Sequence, residues 1–106
     1  MKNLNLVKKE AADKFFLRNK NSEFMTQDND LITNLIKNNS LKANNILEIG
    51  CGNGNKLNQY SKLCKSKNSY GIDLSKKAIA DGKSRYKNLN FLNISSIEID
   101  KIKIDF

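Results

Sequence analysis

The residues best suited to chemistry stand in one short stretch, where an apolar run ends in three closely spaced glycines. The stretch is Glu48-Ile49-Gly50-Cys51-Gly52-Asn53-Gly54. Glycines between a strand and a helix let bare backbone approach a ligand, and the helix N-terminus adds oriented N–H donors. Asp73 follows about 20 residues later, at the end of the next strand-like run, where a carboxylate can accept both hydroxyl hydrogens of a ribose. Together, the loop and this carboxylate predict a nucleoside-binding site.

The spacing of the glycines narrows the type of nucleoside ligand. A dinucleotide fingerprint, GxGxxG, would need its third glycine where this chain has Asn55. Glu48 lies two residues before the loop, where a carboxylate would repel a pyrophosphate but suits a ligand that carries an ammonium group. A P-loop is excluded because no Gly-Lys-Ser/Thr follows the glycines. The pattern therefore argues against an NAD-binding oxidoreductase, which is the other enzyme alternative.

The composition removes several other classes of chemistry. The 106-residue chain has no histidine, which excludes Ser-His-Asp hydrolysis, Cys-His proteolysis and HExxH zinc chemistry. Cys51 and Cys64 do not form a metal-ligand pattern, and a secreted disulfide scaffold would contain more cysteine. We expect reduced thiols, with Cys51 a small residue of the loop, no metal site, and a cytoplasmic protein. No apolar run approaches the roughly 20 residues that cross a bilayer, so we expect no membrane partner.

The formal net charge of +8 raises the alternative of a basic nucleic-acid-binding module. The lysines are spread along the chain, in company with many asparagines and isoleucines, which is the bias that an AT-rich genome encodes. A nucleic-acid module would need its lysines on one face with aromatic residues among them. The charge therefore favours anionic partners in general, and the nucleic-acid module stays as an alternative.

Hydrophobic spacing predicts the elements that must position the loop and Asp73. Helical spacing predicts a first helix from Leu4 to Leu17, and Asp28 or Asn29 is expected to cap a second one. The second helix would bury an apolar face made of Leu31, Ile32, Leu35 and Ile36. From residue 45 onward, strands and helices alternate. The predicted strands are Ile46–Ile49, Ser69–Ile72 and Asn90–Ile94, with a helix running to about Cys64 and another capped by Ser75.

This alternation predicts an α/β fold, with a Rossmann-like parallel sheet and flanking helices. The tail from Ile97 to Phe106 alternates apolar and polar residues, which predicts a turn that leads into a fourth strand. The chain ends as that strand begins, so the sheet is expected to be truncated after the third strand or at the start of the fourth. Such a sheet would leave one edge open beside the first strand, which predicts self-association.

The segments ILEIGCGNG and YGIDLSKKAI resemble the first two motifs of the class I S-adenosylmethionine-dependent methyltransferases, and the resemblance covers about residues 28–96. It implies S-adenosylmethionine as cofactor, with the glycine loop under its amino-acid part and Glu48 orienting that end. Asp73 would bind the ribose hydroxyls, and Leu74 would pack near the adenine. The implied cofactor-binding residues are Glu48, Gly50, Cys51, Gly52, Gly54, Asp73, Leu74 and Ser95.

The resemblance extends less fully to both ends of the chain. The family usually has an aspartate after the third strand that contacts the adenine amino group, and the equivalent position here is Ser95, or Asn93 if the register slips. FFLRN resembles the segment before the core in some bacterial members, which makes Arg18 a candidate for the carboxylate end of the cofactor. These comparisons divide the chain into an N-terminal helical or lid segment, residues 1–27, and a partial cofactor-binding domain, residues 28–106.

The resemblance implies methyl transfer, but the sequence identifies neither the methyl acceptor nor the catalytic residues. A complete core of this family has seven strands, and the half that would hold most of the acceptor site is not in this sequence. We therefore expect an N-terminal fragment or a truncated reading frame. An S-adenosylmethionine-binding or structural remnant without turnover is the second hypothesis, and the basic nucleic-acid-binding module is the third.

Overall fold

The computed structural model describes residues 4–19 and 30–101. Four α-helices in these residues are named α1 to α4 in chain order: Leu4–Asn19, Leu31–Asn39, Asn55–Cys64 and Lys76–Arg85. Three strands, β1 to β3, span Asn45–Ile49, Asn68–Ile72 and Asn90–Leu92, and a short 3-10 helix spans Ser96–Lys101. The alternation of strands and helices from residue 45 onward is therefore as predicted.

The three described strands form one parallel sheet in the order β1-β2-β3. Leu47 pairs with Tyr70 and Gly71 pairs with Phe91, so the carboxyl ends of all three strands lie at the same edge. This arrangement confirms the predicted Rossmann-like fold class. Within residues 4–19 and 30–101, β1 pairs only with β2, and its other edge carries no strand.

The core lies between the sheet and helices α3 and α4. Leu57, Tyr60 and Cys64 are buried along α3, as their spacing predicts, and Ile79 and Gly82 are buried along α4. One cluster of buried residues joins both helices to the sheet and contains Cys51, Leu57, Ile79, Leu89 and Phe91. The glycine loop, which the sequence predicts to bind a ligand, is therefore anchored in the core through Cys51.

Helix α2 differs from the prediction in its cap and in its buried face. Asp30 is the N-cap, whereas Asp28 and Asn29 lie outside the described residues. All three are capping residue types, so local sequence does not choose between them. The predicted apolar face is wrong in part, because Ile36 is buried but Leu31, Ile32 and Leu35 are exposed. The helix is instead buried through Thr33 and Ile36.

The tail begins with a turn, as predicted, and the turn takes the form of a 3-10 helix over Ser96–Lys101. The hydroxyl of Ser95 donates to Oε1 of Glu98 at 3.1 Å, and the Ser95 N–H points at the same oxygen at 3.4 Å. The Glu98 carboxylate thus accepts from the Ser95 N–H, as in one half of a capping box, and the Glu98 N–H donates to the Ser95 carbonyl at 3.1 Å, which closes a helical turn. Ile102, Ile104 and Phe106 of the predicted strand lie outside the described residues.

Helix α1 packs against α4. Phe16 of α1 is buried, and the residues on its outer side are exposed. In the described ranges, no helix combines the length and apolar character needed to cross a membrane. The fold thus places α1 beside the carboxyl ends of the strands, where the glycine loop begins.

Candidate functional site

The glycine loop needs glycine for its backbone conformation. Gly50, Gly52 and Gly54 have φ values of 76°, 58° and 84°, in the left-handed region that side chains disfavour. The N–H groups of Gly50 and Cys51 both donate to the Ile72 carbonyl, at 2.8 and 3.0 Å, so the start of the loop is bonded to the end of β2. The loop therefore leaves β1 in a tight turn and enters α3 at Gly54.

Gly54 is required for a second reason, because the core leaves no room for a side chain at this position. A Cβ atom at Gly54 would lie 2.5 Å from Cζ of Phe91 and 3.3 Å from Cδ1 of Leu89, both of them core side chains. At Gly50, by contrast, a Cβ atom would meet nothing within 4 Å. The two glycines thus have different tasks: Gly54 packs against the core, and Gly50 faces open space.

Asp73 and the glycine loop meet, as the sequence predicts. Oδ2 of Asp73 accepts from the Gly52 N–H at 2.8 Å, and Oδ1 accepts from the Ser75 N–H at 2.8 Å. Because a carboxylate oxygen can accept two hydrogen bonds, each oxygen keeps capacity for another donor. The carboxylate therefore fixes the middle of the loop and still has acceptor capacity beside it.

Glu48 presents a buried acidic group without a partner for one of its oxygens. Its Oε1 atom is buried and has no hydrogen-bond partner. Burial raises the pKa of Glu48 to about 7, and the carboxylates of Asp30 and Asp73 add to the shift. Since the folded state then holds the proton more tightly than the unfolded chain, the free energy of unfolding falls as pH rises from about 4.5 to about 7. A cation beside Oε1 would relieve this cost.

A second polar cluster lies next to Glu48 and was not found from the sequence. Oδ2 of Asp30 accepts from the Tyr60 hydroxyl at 2.9 Å, and Oδ1 accepts from the Thr33 hydroxyl and from Nζ of Lys56 at 3.4 Å. Burial alone would raise the pKa of Asp30, but these hydrogen bonds and the Lys56 charge lower it to about 2. Lys56 and Tyr60 lie 26 and 30 positions from Asp30 in the chain, so no local spacing signals these two partners.

A cavity of about 1300 Å³ opens at the carboxyl ends of the strands. Such a volume exceeds the roughly 300–1,000 Å³ of an ordinary ligand pocket, so it leaves room for more than one small molecule. Seven of the eight residues that the resemblance implied line it: Glu48, Gly50, Cys51, Gly52, Asp73, Leu74 and Ser95. Gly54 lies behind the loop against Phe91.

Helices α1 and α2 supply a wall of this cavity whose residues are not among the binding residues that the resemblance implied. The wall consists of Lys8, Lys9, Ala12, Phe15, Phe16, Leu31 and Ile32. Arg18, the candidate for the carboxylate end of the ligand, lies elsewhere on α1, together with Lys14 and Leu17. The described basic side chains that do line the cavity are Lys8, Lys9 and Lys56.

Asn93 and Ser95, the two candidates after β3 for contacting the adenine amino group, have different surroundings. The amide of Asn93 donates to the backbone carbonyl of Asp73 at 3.0 Å, so it ties the ends of β2 and β3 together. Ser95 lines the cavity while its hydroxyl donates to Glu98. Ser95 is thus the residue of this pair that borders the cavity.

The cysteines have the character of packing residues. Both are free and buried, and Sγ of Cys51 lies 3.4 Å from the Gly52 carbonyl. Burial, with the charges of Asp73 and Glu48, raises the pKa of the Cys51 thiol. Cys51 therefore has no thiolate to act as a nucleophile near neutral pH. Among the residues that the structure describes, no group of three His, Cys, Asp or Glu side chains could hold a metal ion.

Comparison with known families agrees with this site. The parallel sheet with helices α3 and α4 packed on it places the chain in the Rossmann-like α/β class, whose ligands bind at the carboxyl ends of the strands. A family model described as a methyltransferase domain matches residues 40–105. Because the match spans more than half of the 106 residues, the chain belongs to the family of methyltransferase domains.

Solved structures of methyltransferases share the fold. One is the plantazolicin methyltransferase BpumL in complex with a pentazolic desmethylPZN analog and SAH, at 23% identity and a TM-score of 0.53, with 94% of this chain and 43% of that chain covered. Another is a Haloferax volcanii complex of the Trm112 methyltransferase activator with a proposed methyltransferase, at 16% identity and a TM-score of 0.52, with 76% and 37% covered. The chain therefore spans about two fifths of the length of these relatives. A search of proteins of curated function gives no match.

Proposed function

We propose that this chain is the cofactor-binding part of an S-adenosylmethionine-dependent methyltransferase. The observation that carries the proposal is the buried Oε1 of Glu48, which has no partner, in a residue that lines the same cavity as the glycine loop and Asp73. A buried carboxylate without a partner is costly, and a ligand with an ammonium group would offset that cost. Family membership and the SAH bound to BpumL add support from outside the chain.

The residues around the cavity fit the parts of this cofactor. Glu48 would accept from the ammonium group, and the bare backbone at Gly50 and Gly52 would lie beside the amino-acid part. Asp73 would use its free acceptor capacity for the ribose hydroxyls. Leu74 and Ser95 would border the adenine. In this proposal, Gly54 acts from behind, by holding the loop in its turn.

When bound, the cofactor supplies a methyl group on a sulfonium centre. The described residues contribute alignment and exclusion of water. The loop and the two carboxylates orient the ligand, and the α1 wall of the cavity keeps water from it. Direct displacement of the methyl group from the sulfonium sulfur needs no dedicated base, so it is compatible with a chain that lacks histidine. The methyl acceptor and the catalytic residues are not identified.

Cofactor binding without turnover is the second candidate for this 106-residue chain. The residues that line the cavity account for cofactor binding by themselves, which favours this candidate. Transfer of a labelled methyl group to an extract that supplies many acceptors would distinguish the two. Incorporated label above a cofactor-only control supports the enzyme, whereas saturable binding without incorporation supports the remnant.

The proposal also includes the partners of the protein and its cellular location. The sheet edge beside β1 is unpaired in the described residues, so self-association through it stays part of the proposal. The Haloferax volcanii methyltransferase is in complex with an activator protein, which supports a protein partner as the alternative occupant of this sheet edge. A cytoplasmic location agrees with two free cysteines.

The test compares Glu48→Gln with the unchanged chain, by calorimetric titration with S-adenosylhomocysteine and by denaturant unfolding. We expect the variant to bind at least about tenfold more weakly at pH 8, because it loses a charge-assisted hydrogen bond worth about 1.5–3 kcal/mol. It should unfold no more easily than the unchanged chain, because it also loses a buried charge. Exposed Asp100→Asn is the control for the loss of one negative charge.

Two results would count against the proposal. If S-adenosylhomocysteine fails to bind the folded, unchanged chain, or if NAD binds as well, the cofactor assignment is wrong. If Glu48→Gln binds normally while Asp100→Asn also behaves normally, Glu48 has no part in recognising the ammonium group. Asp73→Asn is a poorer first variant, because Asp73 also holds Gly52 and Ser75, and its loss would disturb the loop.

A further inference from the structure

One carboxylate joins helix α1 to the start of α4. Oδ1 of Asp13 accepts from the Ser75 hydroxyl at 2.5 Å and from the Lys77 N–H at 3.0 Å. The first N–H groups of a helix have no partner within it, and the helix dipole favours a negative charge at this end. Asp13 is therefore placed where a carboxylate stabilises α4 and holds α1 at the same time.

Apolar burial holds α1 in place only in part. Of residues 6–19, Phe16 alone is buried, with 5% of its surface exposed. Four other large apolar residues of the helix remain exposed: Leu6, Val7, Phe15 and Leu17. Since burial of apolar surface is the usual force that docks a helix, a single buried ring is a weak attachment. The Asp13 carboxylate adds a polar attachment to this weak apolar one.

The position of α1 matters because the helix forms part of the cavity wall. Lys8, Lys9, Ala12, Phe15 and Phe16 line the cavity, on the same helix as Asp13. If α1 moved away from α4, this wall would leave with it, and the side of the cavity that it forms would open to water.

Ser75 connects this contact to the proposed ribose-binding carboxylate. The Ser75 N–H donates to Oδ1 of Asp73, and the Ser75 hydroxyl donates to Oδ1 of Asp13. The same hydroxyl accepts from the Ala78 N–H at 3.0 Å, so Ser75 is also the N-cap of α4. One buried residue thus bonds to the carboxylate that holds the glycine loop and to the carboxylate that holds α1.

We propose that Asp13 is a positioning residue for cofactor binding, which fixes α1 as a wall of the cavity through Ser75 and the first turn of α4. The inference rests on the proposed function for its ligand, but the contact itself can be tested without one. Asp13 is not itself among the residues that line the cavity, and its hydrogen bonds go to Ser75 and Lys77, so its effect on the ligand is indirect.

The experiment measures hydrogen–deuterium exchange of α1 and affinity for S-adenosylhomocysteine in Asp13→Ala. Loss of two hydrogen bonds to a carboxylate predicts at least about tenfold faster exchange of the α1 amides, with the amides of the three strands unchanged. We expect the affinity to fall severalfold or more. Asp13→Asn keeps one acceptor oxygen and should lie between Asp13→Ala and the unchanged chain, and it replaces Asp13→Ala if that variant does not fold. Asp100→Asn, at an exposed carboxylate outside the cavity, should match the unchanged chain.

Three results would overturn the proposal. Unchanged exchange of α1 in Asp13→Ala would mean that the carboxylate does not hold the helix. Faster exchange throughout the strands would mean a general loss of stability, and faster α1 exchange with unchanged affinity would mean that the wall has no role in binding. If the unchanged chain binds no S-adenosylhomocysteine, the cofactor role fails with the proposed function, while the exchange data still report whether Asp13 fixes α1.

Discussion

Two glycines of the loop give a matched test of why this loop is built from glycine. Gly50 and Gly54 have similar left-handed backbone conformations, so an alanine at either position meets a strain of about 1–2 kcal/mol. At Gly54 the new Cβ would also lie 2.5 Å from the Phe91 ring, and overpacking of a core typically costs a further 1–3 kcal/mol, roughly. At Gly50 it meets open space. We therefore expect Gly54→Ala to be the less stable variant by about 1–3 kcal/mol.

The assay is thermal and denaturant unfolding of both variants, followed by titration with S-adenosylhomocysteine. For a domain of this size, 1 kcal/mol shifts the melting temperature by about 4–8 °C, so the expected gap is easily resolved. Gly50→Ala should stay folded yet bind poorly, because its methyl group stands at the cavity lining. If Gly54→Ala does not fold, Phe91→Leu in the same chain should restore folding by making room. Equal destabilisation of the two variants, or greater loss at Gly50, would refute the reasoning.

Three other predictions concern the sheet edge, the thiols and pH. The sedimenting mass of the chain should rise with protein concentration, if the chain associates through the open edge of β1. Leu47→Lys on β1 should reduce this rise because a charge on an edge strand opposes pairing. A monomer at all concentrations would contradict the predicted self-association. Cys51 and Cys64 should react with a thiol reagent only at the rate of unfolding, since both are buried, and fast labelling of the folded chain would show otherwise. Denaturant titrations should give a free energy of unfolding that falls by up to about 3 kcal/mol between pH 4.5 and 7, and Glu48→Gln should remove that fall.

The parts of the fold that were predictable are those set by local spacing. Strand β1, the glycines and the Ser75 cap each follow from residue types within a few positions, and the structure has all three. The meeting of Asp73 with the loop was also predictable, because parallel strands bring their carboxyl ends to one edge. That rule places a residue two elements away without any knowledge of side-chain packing.

The parts that were missed depend on contacts between distant residues or on competing local signals. Asp13 and Ser75 are 62 positions apart, and the Asp30 contact to Tyr60 spans 30. In the tail, the alternation that starts at Ile97 and Ile99 predicted a turn before a fourth strand, but not the kind of turn. Ser95 and Glu98 carry the three-residue spacing of a capping box, which was the available signal for a helical turn.

The raised pKa of Glu48 has a consequence for how heat and protons would be exchanged on binding. With a pKa of about 7, about half of the ligand-free molecules carry a proton on this carboxyl at pH 7. A ligand that brings an ammonium group selects the ionised form and expels that proton, so the heat of binding should vary with the ionisation enthalpy of the buffer. Affinity should then increase with pH up to about 7 and level off above it. The chain would therefore bind its ligand most tightly at about pH 7 and above. In that same pH range, the ionised Glu48 carboxylate destabilises the ligand-free chain most.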